Sequence, residues 1–271
     1  MVLEETTVPG FPLTLTPDQR TKLEDFQKRL IQWTHKKEMT AEDSDSNHSG
    51  SQAERLHLKF LRARNFNVCK SLELYTEFLS WKDAFQDIGV DNIDPESIQN
   101  EIHSHKCIQF GEDLDGRPVI WMRLARHKKK ESQPEELERF CAWFFSTAKH
   151  IVHDPIETAT VVIDLSGISS DNLDMAGART LADMLGKRYP ECLGYGLLLD
   201  APWIFSTFWK LFRPFLDART ANKMHFVRRK ELTNFIHTKS ILTEYGGDAQ
   251  YCEERDMILS KYLKPTKHPP K

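Results

Sequence analysis

From Thr16 to Phe85 apolar residues return every three or four positions, the rhythm of helices packed on one face. Thr16-Pro17-Asp18 opens a first helix, with Thr16 as cap and Pro17 in the first turn. Its apolar side runs through Leu23, Phe26, Leu30 and Trp33 to about Lys37. A second helix is predicted over about Ala53 to Arg64, and a third over about Cys69 to Phe85 with Leu72, Tyr75, Phe78 and Leu79 inward. Between the first two, residues 40–52 (TAEDSDSNHSGSQ) are polar and low in complexity, which predicts a mobile loop. From about residue 105 short apolar runs alternate with helical patterns. Cys107–Phe110 and Pro118–Leu124 read as strands joined by the turn GEDLDG, and Thr160–Leu165 and Leu193–Asp200 as buried strands. Helices are predicted over Glu135–Val152, Asn172–Arg188 and Leu232–Leu242, and a short strand over His225–Val227. Nearly continuous apolar strands between helices imply a covered, mainly parallel sheet in an α/β fold.

The richest pattern follows Leu199. At 100° per residue, Ile204, Phe205, Phe208, Trp209, Leu211, Phe212, Phe215 and Leu216 share an arc of about 160°. Ser206, Thr207, Lys210 and Arg213 lie opposite, with Trp203 among them. Such an aromatic surface suits a wall against a ligand cavity or a membrane. Pro214 cannot donate to the Lys210 carbonyl, so the helix must kink or stop there, and FLDARTANK then turns polar.

The 271 residues are 39% hydrophobic and 28% charged, the composition of a globular protein. A net charge of −3 gives no general pull toward nucleic acid, and no apolar run approaches the roughly 20 residues needed to span a bilayer. Five scattered cysteines without CxxC spacing read as free thiols, which fits a cytoplasmic protein better than a zinc site. No GxSxG elbow, P-loop or GxGxxG is present. Ser146–Lys149 matches SxxK and Ser170–Asn172 matches SDN, but the third member of that set is missing. His150 and His153 read as a surface pair. No enzyme is indicated. The run His127–Lys130 reads as a solvated loop, with anionic lipid head groups as its functional alternative.

Five separated segments carry a resemblance: LKFLRARNFNV (58–68), DLDGRPVIW (113–121), TVVIDLSGIS (160–169), 189–223 and EYGGD (244–248). Together they closely resemble the Sec14-like, or CRAL-TRIO, lipid-transfer family. The resemblance implies an N-terminal helical tripod (about 1–90) and an α/β lipid-binding lobe (91–271) with an apolar pocket closed by a gating helix. It implies a monomer that carries phosphatidylinositol between membranes, touching them transiently, with no cofactor and no nucleic acid. Trp203, Phe205, Phe208, Trp209, Phe212 and Phe215 would form the gate and its membrane contact. Arg64, Glu191, Thr220 and Lys223 match the family's head-group positions. A phosphodiester needs cationic and hydroxyl donors, and inositol hydroxyls suit a carboxylate acceptor.

Departures qualify that picture. Cys192 stands where the family often has Arg, and Asn65 where it often has Lys. Phosphatidylcholine-binding members carry hydroxyls where this chain has Ala159 and Val161, while Thr160 points to the other face. Weak or absent phosphatidylcholine exchange is therefore expected. The alternatives are a carrier or sensor of a sterol, haem or other hydrophobe, with Tyr75, Tyr189, Tyr195 or a histidine as haem ligand, and a lipid-regulated protein scaffold.

Overall fold

The computed structural model describes residues 14–36, 50–148, 151–152, 155–252, 256 and 258–259. The expected loop therefore falls outside the described residues as far as 49, and the chain is already helical from residue 50. His150, His153 and the end of the SxxK match also lie outside them. Two compact units emerge: Met1–Asn92 with Gly186–Glu191, and Ile93–Leu185 with Cys192–Lys271.

The first unit is built on α1 (Pro17–Lys36), α2 (Gly50–Ala63) and α3 (Val68–Ala84). Thr16 Oγ1 accepts from the Gln19 amide at 3.2 Å while Gln19 Oε1 accepts from the Thr16 amide at 3.1 Å, a reciprocal cap. Phe26, Leu58, Phe60, Leu61 and Tyr75 form the dry centre. The helix α2 stops because Asn65 and Phe66 both take left-handed conformations, and Asn67 then caps α3 by accepting from the Lys70 amide. The motif RARNFN is thus a helix–turn–helix corner. Segment 186–191 packs on α3: the Arg188 guanidinium lies 4.8 Å over the Trp81 ring, and Tyr189 meets Phe78 edge-on at 5.8 Å.

The second unit carries a five-stranded sheet in the order β1 (Cys107–Glu112), β2 (Pro118–Arg123), β3 (Ala159–Asp164), β4 (Leu193–Leu199), β5 (Met224–Val227). Strands β1 and β2 are antiparallel and the remaining pairs parallel, as the strand–helix alternation predicts. The helices of this unit are α4 (Gln99–His103), α5 (Pro134–Ala148), α6 (Met175–Asp183), α7 (Trp203–Phe212) and α8 (Ala218–Asn222). Two of the recognised motifs prove to be structural clasps. Asp113 in DLDGR accepts from the Asp115 and Arg117 amides, from Arg117 Nη1 and from Thr160 Oγ1. Tyr245 in EYGGD stacks on Trp121, centroids 4.8 Å apart, and donates to Asp164 Oδ2 at 2.9 Å. Gly247 is required beside it, since a Cβ there would lie 2.1 Å from the Ile241 carbonyl oxygen.

Three expectations are corrected. The helix predicted over 172–188 is interrupted: Ser170–Asn172 is a 3₁₀ turn, Leu173 is extended, and Asp174 caps α6, which runs to Asp183 and ends in a π turn over Met184–Arg188. The helix predicted over 232–242 is two short 3₁₀ turns, Arg229–Asn234 and Thr238–Ser240. Leu232 and Ile236 are buried at helical spacing, but the backbone is spent on the sheet edge: the Phe235 carbonyl accepts from the Leu114 amide, and Ile236 bridges Asp113. His127 is buried, whereas Lys128, Lys129 and Lys130 are exposed as expected. Its ring lies between Lys106 Nζ at 3.1 Å and Asp174 Oδ2 at 3.2 Å, and Lys106 pairs with Glu101.

Burial, and then the Lys106 charge, depress the His127 pKa against the pull of Asp174 and Glu101. The unfolded chain therefore takes up this proton at higher pH than the folded one, so the site favours the folded state fully above about pH 6.5. That contribution is lost as the pH falls from there toward the depressed value. Urea unfolding is expected to show stability declining below about pH 6.5, and His127→Gln to flatten that part of the profile.

Candidate functional site

The register of the parallel strands sorts the sheet's side chains into two faces. On one, Val119, Thr160, Trp121, Val162, Leu197 and Leu199 are wholly buried. Tyr245 covers this face at Trp121, and Phe235 packs on Tyr195. On the other face two rows run across the strands: Ile120, Val161, Gly196, Met224 and Met122, Ile163, Leu198, Phe226. Both rows lack ionisable groups, yet Met122, Val161, Ile163 and Met224 are only half-buried and Phe226 is 54% exposed. Met224 lies over Gly196, its sulfur within 2.2 Å of where a Cβ would stand. Apolar strand faces left this open in a folded domain mark a place for an apolar guest.

The helix α7 packs on this face. Phe205 is its one buried residue and clusters with Leu165, Ile168 and Leu198, flanked by Ile163, Ile204, Phe208, Trp209 and Met224. Phe205 and Trp209 also meet Phe226 at 6.4 and 5.7 Å, and Phe208 and Trp209 each lie 6.1 Å from Phe212. Pro214 ends the helix as its chemistry requires: Arg213–Phe215 is a 3₁₀ turn and Leu216 is extended. Phe205, Phe208, Trp209 and Phe212 therefore point toward the domain, while Trp203, Leu211 and Phe215 are 85%, 62% and 46% exposed. Leu211 stands at the end of the apolar arc, which is why it escapes burial.

The four head-group positions divide evenly between the units. Arg64 follows the last turn of α2 and donates to the Ala63 carbonyl at 3.0 Å. Glu191 is half-buried at a φ of 55°, a conformation that costs a non-glycine residue of order 1 kcal/mol or more. Thr220 and Lys223 share the turn of α8. Asp217 caps that helix and accepts from the Thr220 hydroxyl at 2.7 Å, so this hydroxyl presents lone pairs until it rotates. Burial opposes the Asp217 charge, but hydrogen bonds from Thr220 and the Arg219 amide outweigh it and hold the carboxyl below its usual range. Lys223 Nζ donates to the Leu193 carbonyl at 2.6 Å, two residues beyond Glu191. The tyrosines considered for haem are packed among aromatics: Tyr75 against Phe60 at 4.9 Å, and Tyr195 against Phe235 at 5.3 Å and beneath Arg117.

Sequence reasoning alone did not reach the floor residues Met122, Ile163, Met224 and Phe226. Their alternation was visible, but which alternate set faces α7 depends on pairing across strands.

Residues 102–247 match the model of the CRAL/TRIO domain, and residues 22–77 that of the CRAL/TRIO N-terminal domain. The chain belongs to the CRAL/TRIO family. A CRAL-TRIO domain-containing protein of Schizosaccharomyces pombe is 35% identical over 199 residues, covering 71% of this chain and 45% of that protein. A phosphatidylinositol transfer protein of Eremothecium gossypii, CSR1, is 30% identical over 206 residues, 72% of this chain and 47% of its own length. The chain thus spans about half the length of these two relatives. The SEC14 cytosolic factor of Kluyveromyces lactis is 27% identical over 94% of this chain and 86% of its own. The crystal structure of Sfh5 shares the fold, with a TM-score of 0.62 at 18% identity over 94% of this chain and 95% of that one. Among the described residues no helix is long and apolar enough to cross a membrane.

Proposed function

We propose that this CRAL/TRIO protein is a non-enzymatic carrier that extracts phosphatidylinositol from membranes, its acyl chains lying on the open apolar rows of the sheet beneath α7. The observation that carries this reading is the pair of half-buried apolar rows, from Met122 to Phe226, under a helix lined with aromatics. Each methylene taken from water onto such a surface contributes about 0.8 kcal/mol, enough for two chains to offset removal from a bilayer. Relatives named as a phosphatidylinositol transfer protein and as SEC14 cytosolic factor support the choice of lipid. Arg64, Glu191, Thr220 and Lys223 would receive the head group, with Lys223 and Thr220 on phosphate and Glu191 on inositol hydroxyls.

Phosphatidylcholine exchange is expected to be weak or absent. The hydroxyl of β3, Thr160, is buried on the opposite face and donates to Asp113, so the rows beneath α7 offer a zwitterionic head group no hydroxyl from this strand. The same wholly apolar rows favour, as a second ligand, a hydrophobe such as a sterol.

Transfer of labelled phosphatidylinositol between vesicles tests the proposal. The protein is expected to transfer it, and Glu191→Ala with Lys223→Ala to reduce the rate by at least about tenfold, the loss of one charge-assisted contact. Transfer left intact by both changes would overturn the head-group assignment. Phosphatidylcholine moving as fast as phosphatidylinositol would overturn the selectivity.

A further inference from the structure

The outer side of α7 has a composition that its packing does not explain. Trp203, Ser206, Thr207, Lys210 and Leu211 form one outward stripe, all exposed, and exposed Arg213 and Phe215 extend it through the 3₁₀ turn. Large apolar side chains sit at both ends, and the cations Lys210, Arg213 and Arg219 cluster toward one of them. A fourth cation, Arg179 of α6, lies 4.6 Å over the Phe215 ring. Within 203–219 the single acid is Asp217, and it is engaged in capping α8. Neither Lys210 nor Arg213 is paired with a carboxylate among the described residues.

We infer that this stripe is a docking face for an anionic bilayer, on which α7 lies flat. Trp203, Leu211 and Phe215 seat at the boundary of head groups and acyl chains while Lys210, Arg213 and Arg219 meet lipid phosphates and carboxylates. Geometry favours the flat orientation. Twelve residues separate Trp203 from Phe215, roughly 18 Å along a helix, so both ends reach one surface only if the axis runs along it. Charge complementarity selects the partner: a neutral bilayer would accept the Trp and Leu but leave the cations without counter-charge. The inference deepens the carrier reading and rests on it, since docking on this side brings the helix covering the apolar rows to the lipid.

The test is co-sedimentation of the full chain with vesicles of phosphatidylcholine alone or with about 30% phosphatidylserine, at low and high salt. Phosphatidylserine is expected to raise binding, and salt to reverse the increase. Lys210→Glu with Arg213→Glu should weaken binding to the anionic vesicles by on the order of 20-fold, about fivefold or more per charge. Trp203→Ala should weaken binding to both compositions. Equal binding to the two compositions, or anionic binding that survives the charge reversals, overturns the inference. So does dimerisation abolished by Trp203→Ala in a protein that binds no vesicle, which would make the stripe a contact between copies. Native mass spectrometry of the same preparations separates the two readings. A reversed variant that keeps its lipid and loses docking supports the inference; an unmodified protein that docks but never holds lipid overturns the carrier reading instead.

Discussion

Replacing Asp113 by alanine is expected to destabilise the sheet-bearing unit by about 3 kcal/mol or more, read as a lowered midpoint in urea unfolding with little change in slope. Asp113 is 2% exposed, and its two oxygens receive four donors: the Asp115 amide at 2.9 Å, the Arg117 amide at 2.8 Å, Thr160 Oγ1 at 2.7 Å and Arg117 Nη1 at 3.3 Å. Alanine leaves two amides and a hydroxyl buried without their acceptor, and each such group costs about 1–3 kcal/mol. Arg117, 6% exposed, keeps Asp115 and Thr158, which holds the loss below that of a stranded charge. Asp113→Asn provides the control: one oxygen still serves both amides, so the loss should be clearly smaller. A loss under about 1 kcal/mol for alanine would show that water replaces the carboxylate and that the clasp is not structural.

Phe205→Ala should cost a similar amount, about 3–4 kcal/mol, but concentrated in one element. Phe205 is the buried residue of α7, packed on Leu165, Ile168 and Leu198, with Trp209 and Phe208 beside it. Removing the ring leaves a cavity at the point where the helix meets the sheet. Amide exchange is therefore expected to rise more than a hundredfold across residues 206–212 while the central strands keep their protection. Trp203→Ala, at the outward and 85% exposed position, should leave that exchange unchanged. If Phe205→Ala instead accelerates exchange uniformly through β2–β4, then α7 is an integral part of the core and cannot move by itself.

Much of the fold could be read from residue order because its signals are local. The Thr16–Pro17 start, the helical spacing of Leu23, Phe26 and Leu30, the apolar run at 160–165 and the stop at Pro214 depend on neighbours within a few residues, and all appear in the structure. The failures share one cause. Leu232 and Ile236 show helical spacing, but their backbone pairs with residues 113–114, more than a hundred positions away. His127 looks like the first residue of a basic loop until Lys106 and Asp174 close around it.

The candidate site divides in the same way. The sequence by itself determined that one helix would carry a continuous aromatic arc, that Pro214 would end it, and that a Thr and a Lys would follow within one turn, because side-chain identity and helical periodicity suffice for each. Only the tertiary structure decided which strand residues lie beneath that arc, that Thr160 is held on the far face by Asp113, and that Trp203, Leu211 and Phe215 remain outside. Those outcomes follow from strand register and from where the chain returns, and a shift of one residue in β3 or β5 would exchange the half-open rows for the buried ones.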